Sequence, residues 1–137
     1  MKRTNKLLTT ILFLVCTSIL VNALDYKNSS LHIEKRVEDL LARMTLEEKV
    51  AQMRIFHANE GVEMAENGKL HLSEDVVGRL EHGIAGIKNP GEHLTPLQAA
   101  KLNNQLQQYV IEHNRLGIPA LFVTESYNGV DAAGCTK

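Results

Sequence analysis

From Leu31 onward apolar residues recur at Ile33, Val37, Leu40, Leu41 and Met44. This is the i, i+4, i+7, i+8 spacing of a helix with one buried stripe. The opposite face carries Glu34, Lys35, Arg36, Glu38, Asp39 and Arg43, which predicts a solvated surface. Thr45-Leu46-Glu47-Glu48 has the form of a capping box, in which a hydroxyl and a carboxylate satisfy each other's backbone N–H groups. It predicts a second helix with Leu46, Val50, Ala51 and Met53 inward, fading near Phe56, and it places Met44 and Met53 in the core. Residues 59–69 hold Gly61, Asn67 and Gly68 and predict an irregular, exposed stretch. Ser73 caps a short third helix through Val76, Val77 and Leu80, ended by Gly83. Ile84-Ala85-Gly86-Ile87 predicts a short buried strand, and Asn89-Pro90-Gly91 ends it.

Thr95-Pro96-Leu97-Gln98 is a second strong helix start. Its helix should run to about Leu116, with Leu97, Ala100, Leu102, Leu106, Tyr109 and Val110 as the apolar line and Gln105, Gln107 and Gln108 on the wet side. Gly117 ends it and Pro119 prevents continuation. Residues 118–123 are apolar on both faces, as a parallel strand should be. Residues 84–123 therefore predict one βαβ unit and an α/β class. Thr124 and Glu125 stand at the C-terminal end of the second strand, where an α/β barrel builds its ligand site. One such unit neither closes a barrel nor covers both faces of its strands. The expected fold is the early portion of a (β/α)8 TIM-type barrel, incomplete in this chain.

The N-terminus changes the picture. Lys2, Arg3 and Lys6 precede an apolar stretch from Leu7 to Val21, and Val21-Asn22-Ala23 supplies small residues at a cleavage position. This predicts a secretory signal peptide over residues 1–23. An uncleaved anchor and a lipoprotein cut at Cys16 are the alternatives. Asn28-Ser29-Ser30 also matches a glycosylation sequon. The expected location is secreted or periplasmic, with residues 24–137 as the mature barrel portion and no membrane association after cleavage. Losing three basic residues and none of the 16 acidic ones moves the net charge from −1 to −4, which argues against nucleic acid as partner. Cys135 remains as one thiol, without an internal disulfide partner.

Little points to other chemistry. The six histidines (His32, His57, His71, His82, His93 and His113) show no paired-ligand spacing, so no metal is expected. Gly83, Gly86 and Gly91 are too irregularly placed for a dinucleotide fingerprint, and no cofactor is expected. Aromatic residues make up only 4% of the chain and Trp is absent, so a whole sugar cleft is not expected within it.

Two runs carry a family resemblance. Glu34 through Met53 resembles the start of the family 3 glycoside hydrolases, the β-glucosidase and β-xylosidase group. Arg115 through Gly129 resembles the next landmark of that family. The resemblance covers residues 31–137. It implies a barrel followed by a second α/β domain, a carbohydrate substrate, and a retaining mechanism with two carboxyl groups. The nucleophile and the acid/base are expected beyond Lys137, so no catalytic residue is assigned in this chain, which should be inactive alone. Glu125 matches the family's acidic residue that binds sugar hydroxyls where cleavage occurs. Asn128 and Asp131 are possible loop contacts. Asn128 stands where His is common, a departure that bears on substrate preference, and Asp131 is more simply read as a turn residue bonding its own backbone. The alternatives are a small exported non-catalytic sugar-binding module and a helical interaction module.

Overall fold

The computed structural model describes residues 24–125. The leader, Cys16, Asn128, Asp131 and Cys135 lie outside the described residues. The chain divides into two units, Met1–Arg43 and Met44–Lys137.

The first unit holds a 3-10 turn, Asp25–Lys27, and helix α1, Ile33–Arg43. Polar contacts join them. Arg36 Nε donates to the Tyr26 carbonyl at 3.0 Å, and the Tyr26 N–H donates to Asp39 Oδ2 at 3.1 Å. Asp39 in turn receives both Nε and Nη2 of Arg43, each at 2.9 Å. The predicted helix is present, but its stripe is not buried: Ile33, Val37 and Leu41 are all exposed. Among the described residues of this unit, the partner element is the three-residue turn, too small to cover an eleven-residue helix.

The second unit opens with α2, Leu46–Ala51, on the predicted capping box. The Glu48 N–H donates to Thr45 Oγ1 at 3.2 Å and the Thr45 N–H donates to Glu48 Oε2 at 2.8 Å. The inward face differs from expectation. Ala51 and Glu48 are buried, whereas Leu46, Val50 and Met53 are exposed, so Met44 is a core residue and Met53 is not. The helix also stops at Ala51, because strand β1, Ile55–His57, begins four residues later.

The stretch expected to be irregular contains a hairpin. Strands β2, Val62–Met64, and β3, Leu70–Leu72, pair antiparallel with Glu63 opposite His71. Gly68, at φ +71°, supplies the left-handed turn residue that a tight hairpin connection needs. Helix α3, Glu74–Leu80, follows with Ser73 Oγ accepting the Val76 N–H at 3.3 Å. Strand β4, Gly86–Lys88, begins two residues later than predicted. Helix α4, Pro96–Glu112, starts at the predicted Thr95, where Gln98 Oε1 accepts the Thr95 N–H at 3.2 Å. It ends four residues before Leu116, and β5, Leu121–Val123, completes the described elements.

Strands β1, β4 and β5 form a parallel sheet in that spatial order. Its rows are Ile55, Gly86 and Leu121, then Phe56, Ile87 and Phe122, then His57, Lys88 and Val123. The predicted βαβ unit is β4–α4–β5, and β4 is the central strand rather than an edge. The middle row belongs to the core. Phe56 and Ile87 pack with Val76 and Leu80 of α3 and with Leu102, Leu106 and Val110 of α4, and Phe122 lies against this cluster. Because side chains alternate along a strand, the other two rows share the opposite face. There Ile55 and Leu121 are exposed. Gly86 lies between them, and a Cβ built on it would stand 3.0 Å from the Leu121 carbonyl oxygen.

The glutamines of α4 are not simply solvated. Gln107 Nε2 donates to the Ala120 carbonyl at 2.8 Å, and its Oε1 accepts the Ala120 N–H at 2.9 Å. Gln105 does the same for the hairpin, accepting from Leu70 N at 2.6 Å and donating to the Gly68 carbonyl at 3.1 Å. An amide offers one acceptor and two donors, so each of these side chains satisfies backbone groups that no strand partner reaches.

Candidate functional site

Parallel strands end on the same side of a sheet, so the three C-terminal ends lie side by side. They bring His57, Lys88 and the segment after Val123 together. Glu125 stands two residues past β5, and its carboxylate pairs with the Lys88 ammonium. The two partners differ in exposure: the Lys88 side chain is 18% exposed and that of Glu125 is 59% exposed. A lysine on a sheet face flanked by two other strands has its stem covered and only its head free. The carboxylate faces outward.

The backbone beside this pair is tied across the strands. Asn89 sits at φ +54°, a left-handed conformation that Asn tolerates better than most residues. There its N–H donates to the Val123 carbonyl at 2.8 Å. Its side-chain Oδ1 accepts the Thr124 hydroxyl at 2.6 Å. Pro90 follows and, having no N–H, stops the ladder. The loop after β4 is thus fastened to the loop after β5 at the residue preceding Glu125.

The electrostatics favour the ionised form of the carboxylate. The hydrogen bond from Lys88 and then its charge hold Glu125 below the usual glutamate range, with a smaller contribution from His57. His57 is fixed at the end of β1 by its N–H, which donates to Glu60 Oε1 at 3.1 Å. Glu60 is itself kept ionised chiefly by its hydrogen bond with Arg79. An ionised carboxylate accepts hydrogen bonds at both oxygens and donates none. Beside neighbouring hydroxyls it makes charge-assisted hydrogen bonds, stronger than neutral ones.

A cavity of about 270 Å³ opens next to the strand ends, between residues 58–64 and residues 89–94. Asn89 belongs to its wall, with Asn59, Glu63, Glu92 and His93 as further polar groups and Val62, Leu94 and Leu102 as apolar ones. Among the described residues, no three His, Cys, Asp or Glu side chains stand together as a metal site would require.

Of the residues singled out from sequence, Glu125 is at the predicted strand end. Asn128 and Asp131 lie outside the described residues. Lys88 and Asn89 were missed. Their signal was present as a lone charge closing the apolar run Ile84–Ile87, directly before Asn89-Pro90-Gly91.

No family model matches the chain. It is similar to a Formosa agariphila protein named "Putative beta-xylosidase", with 65% identity over 126 residues, covering 92% of this chain and 17% of that protein. It is also similar to beta-glucosidase C of Emericella nidulans, with 32% identity over 100 residues, covering 73% of this chain and 16% of that protein. The chain therefore spans about one sixth of the length of these relatives. By these matches it is a relative of the β-glucosidase and β-xylosidase group, the family 3 glycoside hydrolases that its two sequence runs resemble.

Proposed function

We propose that the chain is part of an exported retaining β-glycosidase, with residues 1–23 as its leader and residues 24–137 as the first portion of a (β/α)8 barrel. The observation that carries this is the 65% identity to a protein named for β-xylosidase activity, over nearly the whole chain. The sheet order supports it. Three parallel strands in sequence order, with a helix between β4 and β5, are how a barrel begins, and the acid at the end of β5 is on the face where barrels bind ligands. Glu125 binds hydroxyls of the sugar at the cleavage subsite. The nucleophile and the acid/base are supplied by residues this chain does not contain. Xylose stands level with glucose as the sugar, because the relative with the higher identity carries the xylosidase name.

Two expected results follow from this reading. The 137-residue chain alone should release no aryl alcohol from aryl β-xylosides or β-glucosides. The complete glycosidase should hydrolyse at least one of them, and Glu125→Ala should lower its kcat/KM by about 10- to 100-fold, the value of one or two charge-assisted hydrogen bonds. A complete protein that cleaves neither substrate overturns the assignment. Turnover by the purified chain overturns the placement of the reacting carboxyls outside it.

A further inference from the structure

We propose that Lys88 is the positioning residue for Glu125: its ammonium sets which way the carboxylate faces across the strand ends, so that sugar hydroxyls meet a pre-oriented acceptor. The inference rests on the sugar-binding reading of Glu125 and names the residue that prepares that site.

Three features of the structure carry it. The first is placement. Lys88 ends the central strand and is the register partner of Val123, so it reaches Glu125 from the neighbouring strand, while Ile87 beside it points into the core. The second is asymmetry. Two freely moving surface side chains gain little from pairing, because both lose rotamer freedom. Here the lysine is already confined by its neighbours and the carboxylate is not, so the ordering falls on one partner. The pair engages Oε1 of Glu125. An ionised carboxylate has about four lone-pair sites, more than one ammonium contact occupies, and the Glu125 side chain is 59% exposed. The third is the support beneath the pair. Asn89 and Thr124, the residues adjoining Lys88 and Glu125, are joined by one backbone and one side-chain hydrogen bond. The titratable groups facing Glu125 among the described residues are Lys88 from β4 and His57 from β1, and both favour its ionised form.

The test uses the complete glycosidase with Lys88→Met, Lys88→Arg and Glu125→Ala, following kcat and KM separately over about pH 4 to 8. Lys88→Met should lower kcat/KM by about tenfold, the scale of a misoriented binding group. It should also move the acid limb of kcat/KM to higher pH, since Glu125 then protonates more readily. Lys88→Arg, which keeps the charge, should restore most of the rate and the position of the limb. A merely structural lysine leaves the limb where it was. If Glu125→Ala is impaired while Lys88→Met keeps both its rate and its acid limb, the positioning role is overturned and sugar binding by Glu125 stands. If Glu125→Ala itself leaves kcat and KM unchanged, the sugar-binding reading is overturned, and this inference with it. Should Lys88→Met not fold, Lys88→Gln is the second variant. The same limb shift is expected, and an unmoved limb overturns the proposal.

Discussion

Replacing Ile87 by alanine should lower the unfolding free energy of the chain by about 3–4 kcal/mol, within the range measured for deleting three methyl or methylene groups from a packed site. Ile87 is fully buried at the centre of the middle strand, with Phe56 and Phe122 as its register partners. Helices α3 and α4 contribute the rest of its cluster. A cavity there is bordered by three strands and two helices, and none of them can move in without breaking the sheet register. Ile87→Val, which keeps most of the volume, should cost only about 1 kcal/mol. Leu121→Ala is the matched control. Leu121 sits on the adjacent strand but is 70% exposed, so its truncation should change stability by less than about 0.5 kcal/mol. Urea unfolding followed by circular dichroism separates the three. A loss below about 1.5 kcal/mol for Ile87→Ala would mean that the middle row of the sheet is not the packing centre.

The contrast between Ile87 and Leu121 also shows what was legible in the chain. Helix starts were read correctly because they depend on nearby residues: Thr45 with Glu48, Ser73 with Val76, and Thr95 with Gln98. The strands were harder, because each spans three residues and no period can be established over three positions. Ile118 to Val123 was visible as one apolar run, but only its last three residues pair. Ile55 and Phe56 were absorbed into the fading end of the preceding helix, since two apolar residues so soon after Met53 give no separate strand signal. In the hairpin, Asn67 and Gly68 marked a turn, yet the exposed Glu63 and His71 at the strand centres made the flanks read as polar. Burial of Leu46, Val50 and Met53 was inferred from periodicity, which finds an apolar face but not what covers it.

The candidate site divides along the same line. Glu125 was legible because a carboxylate after an apolar run is a local signal. Lys88 was not, because its partner is 37 residues away and becomes a neighbour only when β4 and β5 align in parallel. Gln105 and Gln107 are similar cases. Their side chains looked solvated by helical spacing, and only the tertiary fold shows that they hold the backbones at residues 68, 70 and 120.

Glu48→Ala should be the other large effect, about 3 kcal/mol, because this one carboxylate serves two functions. It closes the capping box on Thr45, worth about 1 kcal/mol. It also receives Arg115 at both oxygens, from Nε at 2.9 Å and Nη2 at 2.7 Å. Hydrogen bonds to charged groups contribute about 1.5–3 kcal/mol. Its side chain is 7% exposed and that of Arg115 is 56% exposed, so Arg115→Ala should cost less than the cap and pair together. The double variant should lose less than the sum, by a coupling of about 1–2 kcal/mol. The pair matters for the fold because Glu48 and Arg115 belong to the two sequence runs that carry the family resemblance, 67 residues apart. The pH dependence gives an independent check. The hydrogen bonds from Arg115 hold Glu48 below the ordinary glutamate range, and the Thr45 N–H adds to this, against the opposing effect of burial. A carboxylate with a lowered folded-state pKa adds stability that is complete above its unfolded value, about 4.3, and is lost as the pH falls through the folded value. The wild-type chain should therefore lose stability on acidification through that window, and Glu48→Ala should lose distinctly less. Parallel losses in the two proteins would show that the Glu48–Arg115 pair is not what keeps this carboxylate ionised.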